Sequence, residues 1–118
     1  MSTNDEEVRM YIVVNADAKM NRGKIAAQVG HAVMLVTEHL LTSNKGLYYQ
    51  YKHDGMPKIV LKADASTIEG LANKSNFVIR DAGRTQVEAG TLTAIGFLPM
   101  TDSTRAKYYA ELATLKLL

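Results

Sequence analysis

Cysteine is missing from the 118-residue chain, and that absence excludes a disulfide scaffold, a zinc-thiolate centre and a thiol nucleophile together. No apolar run approaches the roughly 18 residues that a membrane-spanning helix needs. Histidine is sparse: His31, His39 and His53 are scattered and show no obvious metal-ligand spacing, and neither a metal nor another cofactor is expected. There is no internal repeat and no low-complexity segment. The opening residues, Met1-Ser2-Thr3-Asn4-Asp5-Glu6-Glu7, are polar and acidic, the wrong chemistry for a signal or transit peptide. A cytoplasmic location without membrane contact is the expectation.

What is present is the composition of an ordinary soluble protein, 47% apolar and 22% charged. The length suits one domain with a single core, and the expected division is an acidic, flexible tail over 1–8 and one domain over 9–118. Net charge is +2 but unevenly placed. The first seven residues carry three acids and no base, leaving 14 bases against 9 acids, a net of +5, in the remainder. That balance fits a polyanionic partner without requiring one.

Along the chain, Tyr11-Ile12-Val13-Val14 is a β-branched run that reads as a buried strand. From Gly23 the pattern turns helical, with Ile25, Val29, Ala32, Val33, Val36 and Leu40 recurring at three- and four-residue steps as far as Thr42-Ser43-Asn44. A second helix is expected over 45–52, a strand over 58–62, a short helix over 66–71 capped by Asp64 or Ser66, and strands over 77–79 and 91–97. Thr101 to Thr104 cap a last helix reaching about Ala113. Strands separated by helices imply a largely parallel sheet covered on both faces. The expected fold is therefore α/β, a three-layer α/β/α sandwich around a small four-stranded mixed sheet, with the relative direction of the third and fourth strands left open. Such folds build their sites at the carboxyl ends of strands.

Two segments offer chemistry. The first strand leads into Lys19-Met20-Asn21-Arg22-Gly23-Lys24, three basic side chains and a glycine at a helix start, where free backbone N–H groups and the helix dipole favour phosphate. The second glycine and the Lys-Ser/Thr pair of a Walker loop are missing. Lys24, Gln28 and His31 follow at i, i+4 and i+7, on one face beside the apolar stripe. Lys24 reads as an exposed lysine, and His31 equally as a hydrogen-bonded structural histidine. Asp81-Ala82-Gly83-Arg84-Thr85-Gln86 directly follows the third strand. It suits either a site-lining carboxylate and hydroxyl or an ordinary Asp-x-Gly turn.

Together these segments resemble the type II, archaeal and eukaryotic peptidyl-tRNA hydrolases. Gly23-Lys24-Ile25-Ala26-Ala27-Gln28-Val29-Gly30-His31-Ala32 is similar to that family's helix-opening motif. Asp81 to Val87, followed by Gly90-Thr91 and a strand bearing Thr93, is similar to its second signature. Leu115-Lys116-Leu117-Leu118 resembles its closing strand or tail. The resemblance spans about Met10 to the C-terminus. It implies hydrolysis of the ester in peptidyl-tRNA, with release of free tRNA and peptide, and tRNA as the partner. A non-catalytic tRNA- or protein-binding member of the fold is the alternative, and a homodimer is left open. Carried over, the catalytic group is Lys24, Asp81, Thr85 and Thr93, with Lys19, Arg22, Gln28, His31 and Arg84 contacting substrate. The chain departs from the family at Asn21, where glycine is usual, at Arg22, where lysine is usual, and in a short stretch between Lys62 and Asp81. The Asp81 carboxylate is expected within reach of Lys24.

Overall fold

The computed structural model describes residues 7–83 and 87–118; six residues of the expected tail, as well as Arg84 and Thr85, lie outside them. A strand β1 (Met10–Asn15) leads into α1 (Arg22–Ser43) and α2 (Lys45–His53). Then follow β2 (Lys58–Ala63), α3 (Ala65–Ala72), β3 (Phe77–Arg80), β4 (Leu92–Gly96), α4 (Asp102–Tyr108), a 3-10 turn over Ala110–Thr114, and β5 (Lys116–Leu117). The sheet order is β3-β4-β1-β2-β5. β1 and β2 run parallel, as expected of strands joined by a helical crossover, while β4 is antiparallel to both β1 and β3, and β5 to β2. The sheet thus has five strands rather than the four expected. The fifth is a two-residue edge strand, too short to carry an alternation signal.

β1 is the central strand, and all six of its residues are buried. Its side chains alternate between two cores. Tyr11 and Val13 join Leu61, Ile68, Leu71, Ile95, Phe97 and Leu112 beneath α3 and the 3-10 turn. Met10 and Ile12 join Ala32, Val36, Leu40, Tyr51, Phe77 and Ala94 beneath α1 and α2. The three-layer arrangement follows from that two-sided burial. α1 lies close to the sheet because Gly96 has no side chain; a Cβ there would stand 3.1 Å from Val36 Cγ2. Caps follow the sequence: Asn21 accepts from the Lys24 N–H, Asp64 from Thr67 and Thr101 from Thr104. The last helix is shorter than expected, since Tyr109 leaves helical geometry (φ −137°) and the chain tightens into the 3-10 turn.

One core group is unmatched. The Tyr51 hydroxyl, in a residue 3% exposed, finds no hydrogen-bond partner among the described residues, and burial pushes its pKa up to about 12. A buried unpaired hydroxyl opposes folding. Tyr51→Phe is therefore expected to unfold in urea at equal or higher concentration than the parent. The raised pKa adds a second signature. Stability tied to the neutral phenol is fully present below pH about 10, the unfolded tyrosine value, and is lost as pH rises towards about 12. Tyr51→Phe should lack that share of the alkaline loss. A variant less stable than the parent at neutral pH would mean that the hydroxyl is bonded.

Candidate active site

The row Lys24, Gln28, Ala32, Val36, Leu40 runs straight along α1 at four-residue steps. Its last four members are all buried. The line of side chains that packs the core thus continues towards the helix N-terminus as polar groups aimed at the sheet. Gln28 lies on the buried stripe itself, 3% exposed, not beside it as its spacing suggested. Lys24, expected to be exposed, has a side chain only 14% accessible.

Facing this row is the end of β3. Asp81 follows the strand directly, and its side chain is 4% accessible. Lys24 Nζ donates to Asp81 Oδ1, joining residues 57 positions apart. The other oxygen, Oδ2, accepts from the Gly83 N–H at 2.6 Å. The Lys24 hydrogen bond is the main cause that holds the Asp81 pKa below its ordinary value, with the Gly83 N–H adding to it and burial opposing. Gly83 is required twice over. Its φ is +79°, and a Cβ there would stand 2.8 Å from Ala89 Cβ.

Gln28 ties this pair to β4. Its Nε2 donates to Thr93 Oγ1 at 2.8 Å and reaches Asp81 Oδ1 at 3.5 Å, and Thr93 Oγ1 donates in turn to the Ile79 carbonyl at 3.3 Å. Thr93 faces α1 because of an irregularity in the sheet. Ile79 pairs with Ala94 but Arg80 pairs with Leu92, which leaves Thr93 as an extra residue on β4. Leu92 then belongs to the core beneath α3 and Ala94 to the core beneath α1. The bulge turns Thr93 to the same side as Ala94, where strict alternation would send it to the opposite face. Nearby, the Asn15 side chain at the end of β1 donates to the Leu92 carbonyl at 2.8 Å and accepts from the Asp17 N–H at 2.9 Å. It pins the loop leading to α1 against the start of β4.

Over the pair opens a cavity of about 300 Å³ walled by Lys24, Gln28, His31, Ile79, Arg80, Asp81 and Ala82. Its chemical capacity is that of a cation and a carboxylate held in fixed geometry beside a solvent-accessible hollow. Lys24, Gln28, Asp81 and Thr93 are thus brought together, with the exposed His31 on the wall. Lys19 stands apart, beside Asp17, Val87, Glu88 and Thr91. Arg22 faces the other flank of α1, against Val60, Leu117 and Leu118. Among the described residues no group of three metal-ligating side chains occurs.

A family profile described as peptidyl-tRNA hydrolase PTH2 matches residues 8–115. The chain belongs to that family. Among relatives of this peptidyl-tRNA hydrolase family member, a peptidyl-tRNA hydrolase of Saccharolobus solfataricus is 37% identical over 107 residues, covering 81% of this chain and 89% of that protein. One of Sulfurisphaera tokodaii is 39% identical over 104 residues, covering 77% and 84% respectively.

The polar groups that reading by residue type passed over are Asn15, whose only signal is a polar residue closing a β-branched run, and Asn21, whose capping chemistry was legible. The Gln28–Thr93 link also assigns Thr93 a testable part. Its hydroxyl both accepts from Gln28 and donates to Ile79, so it is occupied within the protein. Thr93→Val keeps the shape and strands the Gln28 amide, at an expected cost of about 1–2 kcal/mol in stability. The hydrolytic turnover should fall with it, while tRNA binding stays. Thr93→Ser should restore both. Full activity in Thr93→Val would remove Thr93 from the site.

Proposed function

We infer that this chain cleaves the ester of peptidyl-tRNA in the cavity over Lys24, Gln28 and Asp81, with no metal. The carrying observation is the buried Lys24–Asp81 pair at the mouth of an open cavity, in a chain of the peptidyl-tRNA hydrolase family. The substrate joins a peptide carboxyl to a ribose hydroxyl. Hydrolysis adds water across that bond, giving a peptide carboxylate and the free ribose hydroxyl of tRNA. It needs an aligned water and stabilisation of the oxyanion that develops on the carbonyl oxygen. Such a substrate belongs where translation occurs, so the enzyme works in the cytoplasm.

The depressed pKa of Asp81 bears on the division of labour. A carboxylate held ionised by Lys24 and the Gly83 N–H is a weak base at neutral pH. It is well suited to accept a hydrogen bond from water and fix its line of attack, since each carboxylate oxygen keeps lone-pair capacity beyond its protein partners. Lys24 supplies positive charge for the oxyanion from a position fixed in advance by Asp81, so that little reorganisation accompanies the reaction. Gln28 and Thr93 are positioning residues, holding Asp81 from the side of the sheet. Thr85 and Arg84, which follow Gly83 in the chain, add a hydroxyl and a second cation on the resemblance of their motif.

The test is release of free tRNA from a peptidyl-tRNA by purified protein, with and without EDTA. Turnover should survive the chelator. Lys24→Ala should lose at least ~100-fold, the scale of removing one electrostatic stabiliser, and Asp81→Asn most of its activity with tRNA binding kept. The pH profile separates roles. Because the Asp81 pKa is lowered, its anion persists as pH falls below the ordinary aspartate value of about 3.9. No acid limb from Asp81 should therefore appear between pH about 5 and 7. Wild-type rates in Asp81→Asn would refute this mechanism, and EDTA inhibition would refute its metal independence.

A further inference from the structure

In the antiparallel pairing of β2 with the edge strand β5, Lys62 stands directly opposite Lys116. Opposed residues of such a pair share a face. Leu61 and Ala63 belong to the core beneath α3, so alternation sends Lys62, and with it Lys116, to the α1 side. Both are exposed. Like charges directly opposite are unfavourable in a ladder, and the Asp64 carboxylate, which lines a cavity with both lysines, does not come within ion-pair distance of either. Neither lysine has an ion-pair partner among the described residues. The neighbouring acids are engaged otherwise: Asp64 caps α3 through the Thr67 N–H, and Asp17 accepts from the Ala65 N–H. Elsewhere Arg9, Lys74 and Arg80 each meet a carboxylate. Arg22, at the start of α1, lines a groove with Val60, two residues before Lys62 on β2, and with Leu117 and Leu118, which follow Lys116 in the chain. It stands two residues from Lys24 but on the opposite flank of a helix about 10 Å across.

We propose that Lys62, Lys116 and Arg22 form a phosphate-docking stripe along the β2–β5 edge, which grips the tRNA backbone while the ester lies at Lys24 and Asp81. This rests on peptidyl-tRNA being the substrate. The pair at the chemical centre is internally neutralised, so it contributes little long-range attraction for a polyanion. A lysine pair held in no ion pair, with a guanidinium at the start of α1 facing the same edge, attracts phosphate and releases counterions when it binds. The first turn of α1 joins the two places, so a backbone held on one flank sets the position of the acceptor end on the other.

The experiment is binding of uncharged tRNA, and hydrolysis of peptidyl-tRNA, by the full chain over a range of salt. Lys62→Gln/Lys116→Gln should lower the slope of log affinity against log salt by about 2, near one per lost phosphate contact. The loss in hydrolysis should fall on KM rather than kcat. Thermal stability should be unchanged or higher, since the repulsion is gone, and the double arginine variant should restore the slope. Lys45→Gln/Lys52→Gln removes the same charge from α2, beyond the far end of a helix about 33 Å long, and should leave the slope near that of the parent. An unchanged slope in Lys62→Gln/Lys116→Gln, or an equal fall in both double variants, overturns the stripe. Failure of the parent to hydrolyse peptidyl-tRNA overturns the substrate reading, and with it this assignment of the stripe to tRNA.

Discussion

A half-buried lysine held against a buried aspartate at the junction of α1 and β3 is the constraint to which the rest of the structure answers. Removing two charges from water is expensive, and their attraction offsets that cost only with good geometry and further hydrogen bonds. Each partner is therefore held by more than the other. Asp81 also receives the Gly83 N–H, and Gln28 from the side. Lys24 sits on a helix turn fixed by the Asn21 cap. Such a pair is weak evidence for stability. It is better evidence of a site, because ordinary burial would favour apolar residues in the same space.

The geometry that meets this constraint comes from two modest departures from regular structure. The buried stripe of α1 turns polar in the first two turns of the helix, so that Gln28 occupies a core position. The ladder of β4 gains one residue, so that Thr93 faces α1 instead of α3. Neither suffices alone. A buried amide without an acceptor is costly, and Thr93 on the other face would leave Gln28 unmatched. The bulge and the polar core position answer each other, and Asn15 at the Leu92 carbonyl steadies the strand just before the extra residue.

How much of this was legible in the sequence follows from which interactions are local. The helix α1 and its apolar stripe were readable, because the period of 3.6 acts within a few residues, whereas its Asn21 cap was passed over. Tyr11 to Val14, four of the six residues of β1, were readable as a buried strand from their β-branched run. The approach of Lys24 to Asp81 followed from resemblance and from the rule that open sheets build sites at strand ends, rather than from spacing. The bulge at Thr93 was not legible, since it depends on the register between two strands joined by a long loop. The burial of Lys24 escaped as well, because a lysine at a helix start is ordinarily solvated, and its cover here comes from the distant end of β3. The fifth strand carries no period in its two residues and was legible only as the closing strand or tail that the resemblance suggested at Leu115 to Leu118.

Charge is divided between tasks in a way the net value of +2 conceals. A catalytic cation must meet an oxyanion at one point, so it needs fixed geometry and low mobility, and Asp81 would give Lys24 both in the proposed role. A docking cation meets phosphates spread along a backbone, and its value lies in remaining solvated and unpaired until the polyanion arrives. The same residue cannot serve both demands well, since pairing that fixes a lysine also cancels its distant field. A small hydrolase acting on so large a polyanion therefore needs positive charge outside its chemical centre, close enough to set the position of the ester and far enough to leave the buried pair undisturbed. Opposite flanks of one helix turn would satisfy both conditions, and on the proposed reading the first turn of α1 would couple binding to chemistry.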